Sequence, residues 1–149
     1  MSVVNMAKNI KEVHPEFVVC FKVGSFYHVY GKDAYIMSYL FNYNIKNAKD
    51  NISTVGFPNN ALPIIIARLE REKINYILID TRNNYAVDEK YDNKNLNTYY
   101  EFFENAQKTV RLKRRIDRIA ESLILEINSE NIKEKLRKIE EILDEDWKV

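Results

Sequence analysis

The rhythm of hydrophobic and polar residues changes near residue 95. Before that point, apolar residues come in short runs rich in β-branched and aromatic side chains. Residues 17–23 (Phe-Val-Val-Cys-Phe-Lys-Val) and 26–30 (Phe-Tyr-His-Val-Tyr), separated by Gly24 and Ser25, predict a β-hairpin. Within the second run, Tyr27 and Val29 share one face and suit a core; Phe26, His28 and Tyr30 share the other. Residues 32–42 carry Ala34, Ile36, Met37, Leu40 and Phe41 at helical spacing, and the asparagine-rich stretch 42–51 predicts a loop or irregular strand. Residues 52–57 predict a strand stopped by Pro58. A helix over about 60–73 follows, with Pro63 in its first turn, where a missing N–H costs no bond. Residues 75–80 (Asn-Tyr-Ile-Leu-Ile-Asp) form a nearly continuous apolar run, as expected of a strand covered on both faces. The polar segment 81–95 leaves room for a short edge strand around 85–87.

Beyond residue 95 the pattern is helical. No Gly or Pro interrupts 96–127, where Leu96, Tyr99, Phe103, Ala106 and Val110, then Leu112, Ile116, Ile119, Leu123 and Ile127, make a displaced apolar seam. The break at 128–131 offers Ser129 as an N-cap for a second helix carrying Ile132, Leu136, Ile139 and Leu143. The expected fold class is therefore α/β, with a mixed β-sheet flanked by helices over residues 1–94 and a long C-terminal helical hairpin over 95–149. A hairpin sets Arg118 level with Glu141 and Arg115 with Asp144, so the basic and acidic bands of the two helices are expected to pair as solvated faces. The aromatic cluster Tyr99, Tyr100, Phe102 and Phe103 has too much apolar circumference for one stripe, so part of it must cover the α/β domain or a second copy.

Composition narrows the function. The 149 residues are 46% hydrophobic and 30% charged, with three glycines and three prolines, values of a globular chain and not of a linker-dominated one. A net charge of +1 gives no global attraction to nucleic acid, so any basic footprint is local. The single cysteine, Cys20, excludes an internal disulfide, and with two histidines it leaves no set of zinc ligands. Phosphate-cradling glycine motifs and a serine nucleophile elbow are missing, and neither a membrane span nor a targeting segment is expected. No metal, cofactor, membrane contact or catalytic role is expected, and the location expected is cytoplasmic. Asp80, at the end of a buried strand, is the one weak candidate for a nuclease, and a turn cap is its more ordinary use.

The stretch 14–30 reads His-Pro-Glu, an apolar strand, then Gly-Ser-Phe-Tyr-His. It resembles the mismatch-recognition domain (domain I) of the MutS family of DNA mismatch-repair proteins, whose pattern is His-Pro-Glu, a strand, then Gly-Asp-Phe-Tyr-Glu. Gly56-Phe57-Pro58 with the helix after it, and the strand 74–80, are similar to the family in order and spacing, so the resemblance runs over about 5–88. It implies that Phe26 wedges against a mispaired or unpaired base and that the residue two positions on hydrogen-bonds that base. Here that second residue is His28 where the family has Glu, and Ser25 stands where it has Asp. Lys46 and Lys49 lie in a loop where the family has basic residues, which implies phosphate contacts. The nucleotide-binding, lever and clamp domains of a mismatch-repair ATPase do not fit in 149 residues.

The expected protein is thus a non-catalytic nucleic-acid-binding accessory protein that contacts distorted or mismatched DNA without ATPase activity. Residues 95–149 are then available for a partner protein or a homo-oligomer. The alternative is a protein-interaction or oligomerisation module that keeps the fold and has lost mismatch recognition.

Overall fold

The computed structural model of the chain describes residues 2–47, 51–94 and 96–147. Among them the apolar runs pair into one six-stranded sheet built from β1 (Val18–Val23), β2 (Phe26–Tyr30), β3 (Lys46–Asn47), β4 (Ser53–Pro58), β5 (Tyr76–Asp80) and β6 (Ala86–Tyr91). The spatial order is β3-β4-β2-β1-β5-β6, with β1 and β5 parallel and every other neighbouring pair antiparallel. The fold is the mixed α/β sheet that the sequence predicts. The edge strand expected near 85–87 runs on to Tyr91, its Ile77↔Lys90 and Tyr76↔Tyr91 pairs extending it along β5.

Both faces of the sheet centre are covered, which explains the unbroken apolar runs of β1 and β5. On one face Val18, Cys20, Tyr27, Val29, Phe57, Tyr76 and Leu78 pack under α2 (Lys32–Phe41) and α3 (Leu62–Arg71). On the other, Val19, Phe21, Ile77 and Ile79 pack under α1 (Val3–Val13) through Val3, Ala7 and Ile10. The hydropathy reading predicts no element over 3–13. The helix forms there because Ser2 caps it, its Oγ accepting from the Asn5 N–H at 3.2 Å, and because Val3, Ala7 and Ile10 recur on one face. Pro63 falls in the first turn of α3, as expected.

One buried carboxylate joins these layers. Asp33, in the first turn of α2 and 1% exposed, accepts from the Val19 N–H at 3.0 Å, from Lys11 Nζ at 2.9 Å and from the Tyr99 hydroxyl at 2.6 Å. Lys11 Nζ also donates to the carbonyls of Pro15 and Phe17 and lies 4.7 Å from the centre of the Tyr99 ring. Burial holds the Asp33 carboxyl above the usual carboxylate range, and the Lys11 charge, the Tyr99 hydroxyl and the Val19 amide offset this only in part.

Two compact units divide the chain, Met1–Val110 and Arg111–Val149. Helix α4 (Tyr99–Leu125) contributes its first turns to the first unit, where Tyr99 is buried and Phe102 and Phe103 pack on the core. In the second unit the rest of α4 and α5 (Ile132–Trp147) are joined by turns over 126–131. The cap is not at Ser129. Helix α5 starts at Ile132, and it is the Asn131 carbonyl that accepts from Lys135, while that of Ser129 accepts from Ile132. Glu141, expected to face Arg118, is held by Arg137 four residues back on its own helix. That shorter separation fixes the pair without closing the hairpin. Across the turn, Lys135 pairs with Glu126 at 2.6 Å.

Because Asp33 is buried with three donors aimed at it, Asp33→Ala is expected to cost about 3–5 kcal/mol, as breaking a buried ion pair does. Tyr99→Phe, which removes one donor, is expected to cost about 1–2 kcal/mol. Urea unfolding of the full chain followed by circular dichroism measures both, and a loss for Asp33→Ala no larger than that for Tyr99→Phe would contradict the assignment.

Candidate nucleic-acid interface

The β1–β2 hairpin turns through Gly24 and Ser25. Gly24 has φ +64°, a left-handed conformation that side chains disfavour and that suits the twist of a two-residue hairpin. The register that follows, Val23↔Phe26 and Phe21↔His28, puts Phe26 first in its strand, and the Ser25 carbonyl accepts from the Asn59 N–H at 2.9 Å to tie the turn to the end of β4.

Directly paired residues of antiparallel strands point to the same face, so the register orders the site into rows. The outermost row is Val23, Phe26 and Pro58, all exposed; the next is Phe21, His28 and Gly56; the third is Tyr30, Thr54 and Lys46. Phe26 is 48% exposed, while Tyr27 beside it is 3% exposed and stacked on Phe57, as the alternation predicts. Gly56 carries no side chain under the imidazole: a Cβ there would lie 3.5 Å from His28 Nδ1. His28 in turn stacks on Tyr30 with ring centres 6.4 Å apart. Burial holds the His28 pKa below the ordinary histidine value, so the ring is neutral at pH 7. The buried Thr54 Oγ1 of the third row has no hydrogen-bond partner within the described residues.

Three of the residues named from the sequence thus share one face: Phe26, His28 and Lys46, the last in β3, exposed and level with Tyr30. Lys49 lies outside the described residues. Sequence reasoning missed Arg82. Its guanidinium Nη2 comes within 4.0 Å of where a side chain at Gly24 would begin, beside the hairpin turn. The β5–β6 turn positions it: the Thr81 hydroxyl donates to the Lys22 carbonyl at 2.6 Å, and the Arg82 N–H donates to Asp80 Oδ1 at 2.9 Å. Nothing local in the polar segment 81–95 marks Arg82, because its nearness to Gly24 comes from β1–β5 pairing. A half-exposed aromatic ring, an imidazole able to donate or accept and flanking cations form a set that can stack on a base, hydrogen-bond it and hold phosphates.

The catalytic candidates have other uses. Cys20 is fully buried and its thiol is pushed far up by burial, so it remains protonated and inert. Asp80 is spent on the Arg82 turn. Among the described residues no group of three or more His, Cys, Asp or Glu side chains could hold a metal ion, and no helix is long and apolar enough to cross a membrane.

A mixed α/β domain presenting an aromatic residue from the start of a hairpin strand defines the class. The model of the MutS domain I family matches residues 3–88, more than half the chain, and the chain belongs to that family. The match takes in the sheet from α1 into β6 and every row described above. No curated protein matches the chain.

The difference in burial separates the two neighbouring aromatics. Tyr27→Ala is expected to destabilise the fold by about 3–5 kcal/mol, whereas Phe26→Ala is expected to cost only about 1 kcal/mol. Thermal and urea unfolding of both variants checks this; equal losses would place Phe26 in the core.

Proposed function

We propose that this protein is a non-catalytic accessory factor that binds distorted or mismatched DNA through the face carrying Phe26 and His28. The observation that carries the reading is Phe26, a large apolar ring left about half exposed at the end of a hairpin in a MutS domain I fold. A ring in that position enters the minor groove where stacking is already weakened, and its contact compensates for the kink it causes. His28, two residues along the same face, meets the base edge. Arg82 and Lys46 contact phosphates on either side and fix the register of the duplex. The buried Cys20 and the engaged Asp80 support a role without chemistry.

Neutral His28 also makes a pH dependence. In the free protein burial favours the uncharged ring, whereas the phosphate-rich complex favours the charged one. Binding therefore takes up a proton. Affinity is expected to rise as pH falls from neutral toward the lowered pKa of His28 in the free protein. His28→Gln is expected to flatten that rise.

Fluorescence anisotropy with homoduplex, mismatched, bulged and single-stranded oligonucleotides tests the assignment. Affinity should be highest for the mismatched or bulged duplex and should fall with salt through counterion release. Phe26→Ala should cost about 1–3 kcal/mol. Arg82→Ala should weaken all duplexes alike and reduce the salt slope by about 1. No binding to any of them at low salt, or wild-type affinity in Phe26→Ala, would refute the reading.

A further inference from the structure

In the second unit much of the apolar seam is exposed. Leu112, Ile116 and Ile119 on α4 are 55%, 65% and 59% exposed, and Leu143 on α5 is 55% exposed. The seams match in spacing, residues 112, 116, 119 and 123 on α4 and 132, 136, 139 and 143 on α5. This is the heptad-like interval by which helices of a bundle interlock. Beside Ile119 runs an open groove of about 460 Å³, lined also by Arg115, Arg118, Leu123, Glu126 and Lys135, with room for inserted side chains.

Charge says what fits. Along α4, Arg111, Arg115 and Arg118 lie away from the 126–131 turn and Glu121 lies nearer to it, with Glu126 opening the turn itself. Along α5 the order is opposite, with Lys133 and Lys135 beside the turn and Glu140, Glu141 and Asp144 away from it. Each helix is therefore complementary, level by level, to an antiparallel copy of the other, and Lys135–Glu126 is that match already made within one chain. A chain has one α4 and one α5, and its own pairing leaves Leu112, Ile116, Ile119 and Leu143 exposed.

We propose that residues 111–147 associate with the same residues of a second copy, the two helix pairs related by a two-fold axis along the helices with their 126–131 turns at the same end. Each α4 then lies between its own α5 and its partner's, and basic and acidic levels alternate around a four-helix bundle. The reversed arrangement that sets each α4 beside its partner's α5, turns at opposite ends, brings Arg115 and Arg118 against Lys133 and Lys135 and is rejected by like charge.

Sedimentation of the full chain at tens of micromolar, without nucleic acid, tests this apart from the DNA-binding reading. Twice the 17.7 kDa chain mass is expected, with Ile119→Asp monomeric and equally helical by circular dichroism. Arg115→Glu/Arg118→Glu and Glu141→Lys/Asp144→Lys chains should each self-associate about tenfold or more weakly and pair with each other when mixed. Cys20 is buried, so Ser129→Cys supplies the one exposed thiol, and air oxidation should link two chains through it. A monomeric wild-type chain, or a dimer indifferent to Ile119→Asp, would overturn the proposal. A dimer that Ser129→Cys does not cross-link would overturn its orientation.

Discussion

A carboxylate removed from water has to be met by donors, and Asp33 is met by three that come from different parts of the chain. Lys11 belongs to α1, Val19 to β1 and Tyr99 to the start of α4, while Asp33 itself opens α2. Isolated burial of that charge would be prohibitive, so the elements have to arrive together for any of them to be stable there. Apolar packing alone tolerates sliding of one layer on another. The directional bonds to Asp33 fix α1, α2 and the first turn of α4 at one place on the sheet.

That fixed arrangement decides what stays open. Helix α1 covers Val19, Phe21, Ile77 and Ile79 and leaves the hairpin end of the same face bare. The row Val23, Phe26 and Pro58 is exposed there, and Pro58 has no N–H to leave unpaired at the end of β4. Below it, the His28 ring lies over Gly56 and Tyr30 stacks beneath, so His28 is oriented by packing while Phe26 stays available. The site follows from incomplete coverage of one face, stiffened by the sheet beneath it.

Much of this was legible in the sequence where the signal is local. The alternation over 26–30 separates Phe26 and His28 from Tyr27 and Val29, and the structure keeps that division. The continuous run at 75–80 marks a strand covered on both sides, which β5 is. What was hidden depends on pairing between distant segments. Strand order, the approach of Arg82 to Gly24 and the convergence of Lys11, Asp33 and Tyr99 join residues up to 88 positions apart, and no periodicity records that. Helix α1 was hidden for another reason: its seam is short and mixed with polar residues, and only the Ser2 cap and its packing on the sheet make it clear. In the second unit, Arg137 competes successfully for Glu141 because a partner four residues away on the same helix needs no second helix to arrive.

The net charge of +1 hides local organisation: opposed basic and acidic bands in the second unit, Lys46 on the Phe26 face, and Arg82 beside the hairpin turn at Gly24. The claim on which the account turns is that this face, and no other surface, meets DNA. Titration of the ¹⁵N-labelled full chain with a duplex carrying a single mismatch, followed by amide chemical shifts, addresses it directly. The account predicts that shifts concentrate at residues 24–28, 54–57 and 81–83. Shifts confined to residues 111–147, or spread without preference over the first unit, would contradict it.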